Sequence, residues 1–149
     1  GIRAMDSMRI EKSYRLIPRE LSIEYSAFES GLQRFVHLNK GQFVGGQALK
    51  EWQQRGFKYA YATLEVKNLE DADARGSEPI YYNNELVGRA TSGGYGWRVK
   101  KSIALAMIEK DFCETGKEFQ IEILGKKYDA QIIPESPFDP NNSILMDKS

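Results

Sequence analysis

The sequence predicts a mainly β fold, in which a small α/β N-terminal portion precedes an antiparallel barrel or sandwich of about six strands. Two observations lead to this prediction. From residue 57 onward, short segments rich in β-formers alternate between apolar and polar positions, and turn residues separate them at close spacing. At 149 residues, the chain is also long enough to bury a core without disulfides.

The N-terminal residues predict a helix over residues 1–12. Ile2, Met5 and Met8 fall at helical spacing, as if a helix were already running where the sequence begins. No capping residue precedes this helix, and the sequence does not begin with methionine. We therefore expect the chain to be a piece of a longer polypeptide.

The rest of the first 56 residues predicts one strand and one helix. Residues 14–30 contain a proline and are predicted to be irregular, and residues 32–38 are predicted to form a strand. Residues 46–55 are predicted to form a helix that Gly56 ends. The apolar stripe of that helix consists of Val44, Ala48, Leu49 and Trp52.

Residues 79–107 predict three strands of the β portion. The pair Asn83–Asn84 tolerates positive φ and predicts a tight hairpin turn between strands 79–82 and 85–92. Residues 103–108 contain no polar side chain, so we expect both faces of that strand to be covered. Alternation in the second strand predicts two faces, with Leu86, Gly88, Ala90 and Ser92 on one and Val87, Arg89 and Thr91 on the other.

A glycine-rich corner is predicted between the second and third of these strands. Gly93, Gly94 and Gly96 are expected to turn the chain, and they flank Tyr95 and Trp97. Two large aromatic side chains beside flexible backbone suit the wall of a ligand site, and they equally suit a packed barrel corner. From the residues alone, both interpretations stay open.

The other predicted strands lie before and after this stretch. Residues 58–67 alternate as a strand, and residues 68–78 form a polar, acidic connection that is expected to be solvated. Residues 118–124 and 127–133 predict a second hairpin across a turn at Gly125.

Composition and residue counts argue against several functions. The formal net charge is zero and no dense basic run occurs, which argues against nucleic-acid binding. The longest apolar run, residues 103–108, is too short for a membrane span. The single histidine, His37, lies in the predicted strand 32–38, and Cys113 has no neighbouring group to activate it, so no catalytic nucleophile is predicted. No metal-binding spacing occurs.

Aromatic and arginine side chains remain as candidates for a binding site. Together they could line a site for a flat heteroaromatic ligand with an anionic tail, although core packing explains most of them equally well. They are Tyr14, Arg15, Tyr25, Arg34, Phe35, Tyr81, Tyr95, Trp97 and Arg98.

Four sequence blocks occur in the order of a known family. They are AMDSMRIEKSYR from Ala4, AFESGLQRFVHLNKGQFVGGQAL from Ala27, PIYYNNELVGRATSGGYGWRVKKSIALAMI from Pro79 and GKEFQIEILGKKYDAQIIPESPF from Gly116. In these blocks the chain resembles the C-terminal part of the glycine cleavage T-protein (aminomethyltransferase) family, and within it the folate domain of the dimethylglycine and sarcosine dehydrogenases.

The resemblance implies a fold and a function. It implies a C-terminal Greek-key β-barrel over residues 57–138, preceded by a remnant of the folate-binding core in residues 1–56 and followed by a tail in residues 139–149. The family transfers a one-carbon unit to tetrahydrofolate in a cleft that the barrel shares with upstream subdomains. In the dehydrogenases, a separate upstream domain holds FAD. The catalytic carboxylates of the family also lie upstream, so no catalytic residue is assigned in this chain.

The resemblance makes Arg34, Tyr95 and Trp97 candidates for the folate cleft. The family commonly has an arginine where this chain has Met5, so the role of that arginine is not transferred. Arg34 stands where the dehydrogenases have an aromatic residue that contacts folate. Its guanidinium could pair with the glutamate carboxylate of folate or point to solvent, and both alternatives stay open.

The sequence thus predicts the C-terminal piece of a tetrahydrofolate-dependent one-carbon transfer enzyme, which is inactive when isolated. Its partners would be folate, a methylamine substrate and the rest of the polypeptide, with no nucleic acid or membrane. The alternatives are a non-catalytic barrel module for binding or assembly and a sulfonium demethylase of the same superfamily. The expected location is the cytoplasm for a bacterial protein and the mitochondrial matrix for a eukaryotic one.

Overall fold

The structure, a computed structural model, describes residues 1–146 except for the side chain of Leu145. Of the predicted tail, residues 147–149 therefore lie outside the described residues. The helices are α1 (Ile2–Glu11), α2 (Gly46–Arg55) and α3 (Ser143–Met146). The strands are β1 (Tyr59–Val66), β2 (Pro79–Tyr82), β3 (Glu85–Gly96), β4 (Lys101–Glu109), β5 (Glu118–Ile123) and β6 (Lys126–Ile133).

The six strands form a closed antiparallel barrel in the order β1-β4-β3-β2-β5-β6. Strands β2, β3 and β4 follow one another as hairpins, and β1 lies beside β4, which is the Greek-key arrangement. Pairing of β1 with β6 closes the barrel. The predicted fold class is confirmed: the chain is mainly β, with short helices beside a six-stranded barrel.

Alternation along β4 divides the apolar side chains into an inner and an outer layer. Ala104, Ala106 and Ile108 belong to the barrel interior, and the intervening Ile103, Leu105 and Met107 pack outside with Ile10 and Tyr61. All six apolar residues of β4 are at most 1% exposed, which confirms that both faces of this strand are covered. The interior also contains Ala62, Leu64, Val66, Ile80, Val87, Ala90, Phe119, Ile121, Ile123, Ala130 and Ile132.

The two longer helices begin and end close to their predicted limits. Helix α1 packs on the outside of the barrel through Ile10, which is 1% exposed. Helix α2 spans the predicted residues, and Gly56 follows it with a φ of 81°. The apolar stripe of α2, however, is not packed into a core of described residues, since Val44 and Ala48 are exposed and Leu49 is only half-buried.

The strand predicted at residues 32–38 is wrong. The chain forms a single 3₁₀ turn there, Gln33–Phe35, stabilised by local hydrogen bonds from the N–H of Phe35 to the carbonyl of Leu32 and from the N–H of Val36 to that of Gln33. Because the barrel is closed, it offers no free edge with which this segment could pair. The N-terminal portion up to residue 58 accordingly contains helices, turns and irregular chain.

The glycine-rich corner is also not a corner. Strand β3 runs through Gly93 and Gly94, which pair with Ala104 and Ile103 of β4, and it ends only at Gly96. The chain turns at residues 97–100 instead. Glycine is needed in this strand because neighbouring elements approach it closely. A Cβ on Gly93 would lie 2.5 Å from the carbonyl oxygen of Ala74.

That contact also corrects the prediction of a solvated connection over residues 68–78. Ala74 is 2% exposed and belongs to the barrel interior, and Leu69 is partly buried against the same interior. The acidic connection therefore packs against the barrel through these apolar residues, while Glu70 and Asp71 are exposed.

A β-bulge in β3 changes which residues share a face. Ala90 pairs with Ala106 and Ser92 with Leu105, so Thr91 is an extra residue between two register positions. Ala90 consequently faces the interior, whereas Ser92 faces the outer layer beneath α1. The prediction that placed Ala90 and Ser92 on one face is wrong, because strict alternation does not survive a bulge.

Candidate functional site

Tyr95 and Trp97 form an exposed aromatic pair where β3 ends. The ring centroids lie 5.0 Å apart with an interplanar angle of 78°, an edge-to-face arrangement. The tyrosine side chain is 38% exposed and the tryptophan side chain 76%. Large aromatic side chains that stay together in solvent mark a surface that contacts a ligand or another protein surface. The pair is thus exposed at the end of β3 rather than packed into a barrel corner.

Helix α1 lies directly against this pair and fixes the strand beneath it. Ser7 Oγ donates to the carbonyl oxygen of Tyr95 at 2.7 Å. Two residues further along the helix, Arg9 Nη2 donates to Ser92 Oγ at 2.9 Å. The contacts follow the strand because α1 runs along it, with the Gly94 backbone close to Ile10.

A buried polar network joins the irregular N-terminal segment to the bulge. Glu20 is fully buried, and its Oε1 accepts from the hydroxyls of Thr91 at 2.5 Å and Ser92 at 2.6 Å. Arg9 Nη1 lies 3.5 Å from the other carboxylate oxygen of Glu20, which also accepts from the N–H of Leu16 at 2.9 Å. The carboxylate has its partners within the chain, as a buried charge requires, so this network is structural.

Arg34 lies away from this pair in the 3₁₀ turn Gln33–Phe35, and its side chain is exposed. The centre of its guanidinium is 4.7 Å from the ring centroid of Phe35, a cation–π contact. Tyr95 lines a cavity whose wall does not include Arg34. The three candidate residues thus form one aromatic pair and one separate exposed arginine.

A cavity of about 510 Å³ lies beside Tyr95, between the acidic connection and the start of β4. Its charged walls are largely paired internally. Lys101 Nζ lies 2.6 Å from Glu65 Oε2, and Ser102 Oγ donates to Asp73. This arrangement offers a polar surface beside an aromatic one.

A second cavity, of about 580 Å³, was not predicted from the sequence. Tyr25 and Tyr59 line it edge-to-face, with centroids 6.2 Å apart, and Arg89 Nε donates to the hydroxyl oxygen of Tyr25 at 3.0 Å. Burial raises the pKa of Tyr25 above its usual value. Arg89 also forms an ion pair with Glu24, so its charge is neutralised within the chain. Tyr25 is one of the aromatic candidates named from the sequence, but Arg89 lies 64 positions away and no local pattern indicates that the two residues meet.

Nucleophilic and metal chemistry find no support among the described residues. His37 is exposed and follows the 3₁₀ turn rather than lying in a strand. Burial raises the pKa of the Cys113 thiol, which favours the unreactive protonated form, and its Sγ lies 3.7 Å from the carbonyl oxygen of Tyr61. Residues 1–146 contain no group of three histidine, cysteine or carboxylate side chains that could hold a metal ion.

In the part of the chain that the structure describes, no helix is both long and apolar enough to cross a membrane.

Comparison with known proteins finds a family model and relatives that agree on one family. Residues 61–139 match the family model described as the glycine cleavage T-protein C-terminal barrel domain. The chain is 39% identical to human mitochondrial dimethylglycine dehydrogenase over 136 residues, which is 91% of this chain and 16% of that protein. It is 34% identical to an aminomethyltransferase of Prochlorococcus marinus over 139 residues, 93% of this chain and 37% of that protein.

A solved structure supports the same fold. The aminomethyltransferase T of the glycine cleavage system from Bartonella henselae superposes with a TM-score of 0.86 at 23% identity. The superposition covers 94% of this chain and 39% of that one. The chain therefore spans well under half the length of each of these relatives, and both the N-terminal portion and the barrel share their fold with the solved protein.

Proposed function

Because this chain belongs to the family of glycine cleavage T-protein C-terminal barrel domains, we propose that it is the C-terminal part of a tetrahydrofolate-dependent one-carbon transfer enzyme. The observation that supports this most strongly is the alignment of 91–93% of the chain with enzymes of this family, of which it covers only 16–37%. In this proposal, residues 1–56 are the remnant of the folate-binding core, residues 57–138 the barrel subdomain and residues 139–149 a tail.

The relatives favour an enzyme of the dimethylglycine or sarcosine dehydrogenase type. Identity to human dimethylglycine dehydrogenase is 39%, against 34% to the Prochlorococcus aminomethyltransferase. Met5, which replaces an arginine common in the aminomethyltransferase branch, supports the same choice. The parent would then carry FAD in an upstream domain and would oxidise a methylamine there. A eukaryotic parent would work in the mitochondrial matrix and a bacterial one in the cytoplasm.

The residues of this chain fit one wall of a folate cleft. Tyr95 and Trp97 offer the flat apolar surface on which a pterin or aminobenzoyl ring can pack. Arg34 is exposed and could meet the anionic glutamate tail once an upstream domain brings a ligand near it. Tetrahydrofolate would accept the one-carbon unit, whereas the carboxylates that the chemistry needs would come from upstream residues.

The N-terminal portion presents apolar side chains that suit contact with the rest of the parent polypeptide. Ile2 is 76% exposed, Met5 and Met8 are each 59% exposed, and Val44 is fully exposed. These residues lie at the start of α1 and beside α2, at positions whose spacing is that of a buried helix face. We assign this surface to packing against the upstream folate-binding subdomains.

Titration of the longer polypeptide with tetrahydrofolate tests the proposal. We expect saturable binding in calorimetry, and we expect Trp97→Ala to weaken it at least about fivefold, since base-like rings lose about 1–3 kcal/mol when an aromatic platform is removed. Leu124→Ala, at an exposed apolar side chain in the turn between β5 and β6, serves as the control and should leave the affinity unchanged. Absence of any binding would contradict the proposal and favour the non-catalytic barrel module.

If tetrahydrofolate binds, the substrate distinguishes the remaining alternatives. Formation of methylenetetrahydrofolate from dimethylglycine or sarcosine would support the dehydrogenase type. Methyl transfer from a sulfonium compound, with no turnover of methylamines, would identify the demethylase instead.

A further inference from the structure

The last turn of α1 lies close against the end of β3, at positions where the strand carries glycines. A Cβ on Gly96 would lie 2.9 Å from Glu11 Cγ, and one on Gly94 would lie 3.3 Å from Ile10 Cδ1. Strand β3 thus carries glycines at the positions where α1 approaches it. This close approach allows the side chain of Glu11 to reach past the strand end into the turn that follows Trp97.

Glu11 is a buried carboxylate that binds the backbone of that turn. The residue is 2% exposed, and its Oε1 accepts from the N–H of Arg98 at 2.6 Å and from the N–H of Val99 at 3.2 Å. Two successive N–H groups that converge on one anionic oxygen form a strong, charge-assisted contact. The acceptor and the donors are 87 and 88 residues apart, so this contact determines tertiary geometry rather than local helix structure.

The turn that Glu11 binds lies next to the Tyr95–Trp97 pair in the chain. Arg98 directly follows Trp97. Trp97 is 76% exposed, and its ring contacts that of Tyr95 edge-to-face. The carbonyl of Tyr95 is held by Ser7 Oγ from the same helix. Helix α1 thus binds the backbone on either side of Trp97, through Ser7 before it and Glu11 after it. These contacts add to the pairing of Tyr95 and Gly96 with β4 and to the hydrogen bond from the N–H of Lys100 to the carbonyl of Gly96.

We propose that Glu11 is a positioning residue, which fixes the turn after Trp97 and so sets the orientation of the Tyr95–Trp97 pair for a planar ligand. The identity of that ligand as a folate rests on the proposed function, whereas the positioning of the pair does not. A purely structural role, in which Glu11 only anchors α1 to the barrel, predicts a change in stability without a change in the environment of Trp97.

The test uses the 149-residue chain with Trp52→Phe, so that Trp97 is the only tryptophan. Glu11→Leu removes the acceptor at similar size, whereas Glu11→Gln retains an oxygen at the same reach. In Glu11→Leu we expect loss of at least about half of the tryptophan band in near-ultraviolet circular dichroism and a lower fluorescence anisotropy of Trp97, since the side chain gains rotamer freedom. Glu11→Gln should keep both signals close to those of the parent.

Matched controls come from Glu51, an exposed helical carboxylate that accepts from Gln47 Nε2 at 2.9 Å. Glu51→Leu and Glu51→Gln should leave the Trp97 signals unchanged. If Glu11→Leu does not fold, Glu11→Asp decides the matter, because it keeps the charge and withdraws the oxygen by one methylene. A folded Glu11→Leu or Glu11→Asp with the Trp97 signals of the parent would overturn the proposal.

A second measurement, in the longer polypeptide, links positioning to the ligand. We expect Glu11→Leu to raise the Kd for tetrahydrofolate at least about fivefold and Glu11→Gln to change it less than about threefold, in line with the loss of an aromatic platform. If the unsubstituted polypeptide binds no tetrahydrofolate, the proposed function fails, and the Trp97 signals of the isolated chain still decide the role of Glu11. Equal Kd values for the parent and Glu11→Leu would contradict positioning for this ligand.

Discussion

Gly93 of strand β3 lies directly against the acidic connection over residues 68–78. A Cβ there would lie 2.5 Å from the carbonyl oxygen and 2.8 Å from the Cβ of Ala74. Both atoms are held by backbone, so neither can move without shifting the connection. Gly94 differs, because its nearest neighbour would be the terminal methyl of Ile10 at 3.3 Å, which can change rotamer.

The two glycines therefore make a matched pair for mutation. We expect Gly93→Ala to lower the free energy of unfolding by about 1–3 kcal/mol, the usual cost of forcing extra volume into a packed site. Gly94→Ala should cost less than about 1 kcal/mol, since the contact is looser and alanine suits an extended strand better than glycine does. Urea denaturation of both variants measures the difference. Equal destabilisation, or a larger loss in Gly94→Ala, would contradict the close approach of Ala74.

At the residue scale, the sequence singled out this run of glycines, but it did not show which contacts require glycine there. Tyr95 and Trp97 could be identified as candidates because aromatic residues beside glycines are unusual and match a family block. The partners that give the glycines their role, Ala74 and Ile10, lie 19 and 84 residues away from Gly93 and Gly94 in the chain and carry no local signal. Side-chain positions that depend on such distant contacts cannot be obtained from periodicity.

Among the elements, those defined by their own residues were predicted well. Helix α2 has the predicted limits because its glycine stop is local, and the hairpin between β2 and β3 turns at the predicted pair. The prediction of a strand at residues 32–38 was wrong, because a strand must pair with a neighbouring strand and the closed barrel has no free edge. The bulge at Thr91 was missed for a related reason, because its buried hydroxyl contacts depend on Glu20, far away in the sequence.

The hairpin turn gives a prediction at the scale of elements. Asn83 and Asn84 have φ values of 49° and 65°, which is the left-handed conformation that this turn requires at both positions. A β-branched residue is strained there, so we expect Asn84→Val to destabilise the fold by about 1–3 kcal/mol. Asn84→Gly should stay within about 0.5 kcal/mol of the parent, because glycine adopts this conformation freely and the contact of Asn84 with Lys127 is exposed.

Thermal or urea denaturation of the two Asn84 variants provides the measurement. Glu85→Val, one residue further and within β3, is the control for adding a β-branched side chain at an exposed position. A destabilised Asn84→Gly would show that the asparagine side chain, rather than the backbone conformation, stabilises the turn.

At the scale of the whole molecule, the barrel could be predicted because the alternation of apolar and polar residues in each strand indicates which face is buried. The way the N-terminal portion joins it could not be predicted, since the apolar contact of Ile10 is accompanied by polar contacts between segments far apart in the sequence. Arg9, Glu20 and Glu11 reach the barrel through hydrogen bonds to Ser92, Thr91 and the turn after Trp97. The result is one body with a covered barrel and an N-terminal face that still exposes Ile2, Met5, Met8 and Val44.

This uneven exposure leads to the last prediction, that the isolated 149-residue chain transfers no one-carbon unit to tetrahydrofolate. In the proposed function the chain forms one wall of a cleft, and three carboxylates near Tyr95 and Trp97 are engaged: Glu11 by backbone N–H groups, Glu65 by Lys101 and Asp73 by Ser102. A general acid or base must be free to reach the proton that it moves. We therefore expect no methylenetetrahydrofolate above background from the isolated chain with any methylamine donor, and turnover from the longer polypeptide under the same conditions. Turnover by the isolated chain would require a catalytic carboxylate within residues 1–149 and would contradict the division of labour proposed for this enzyme.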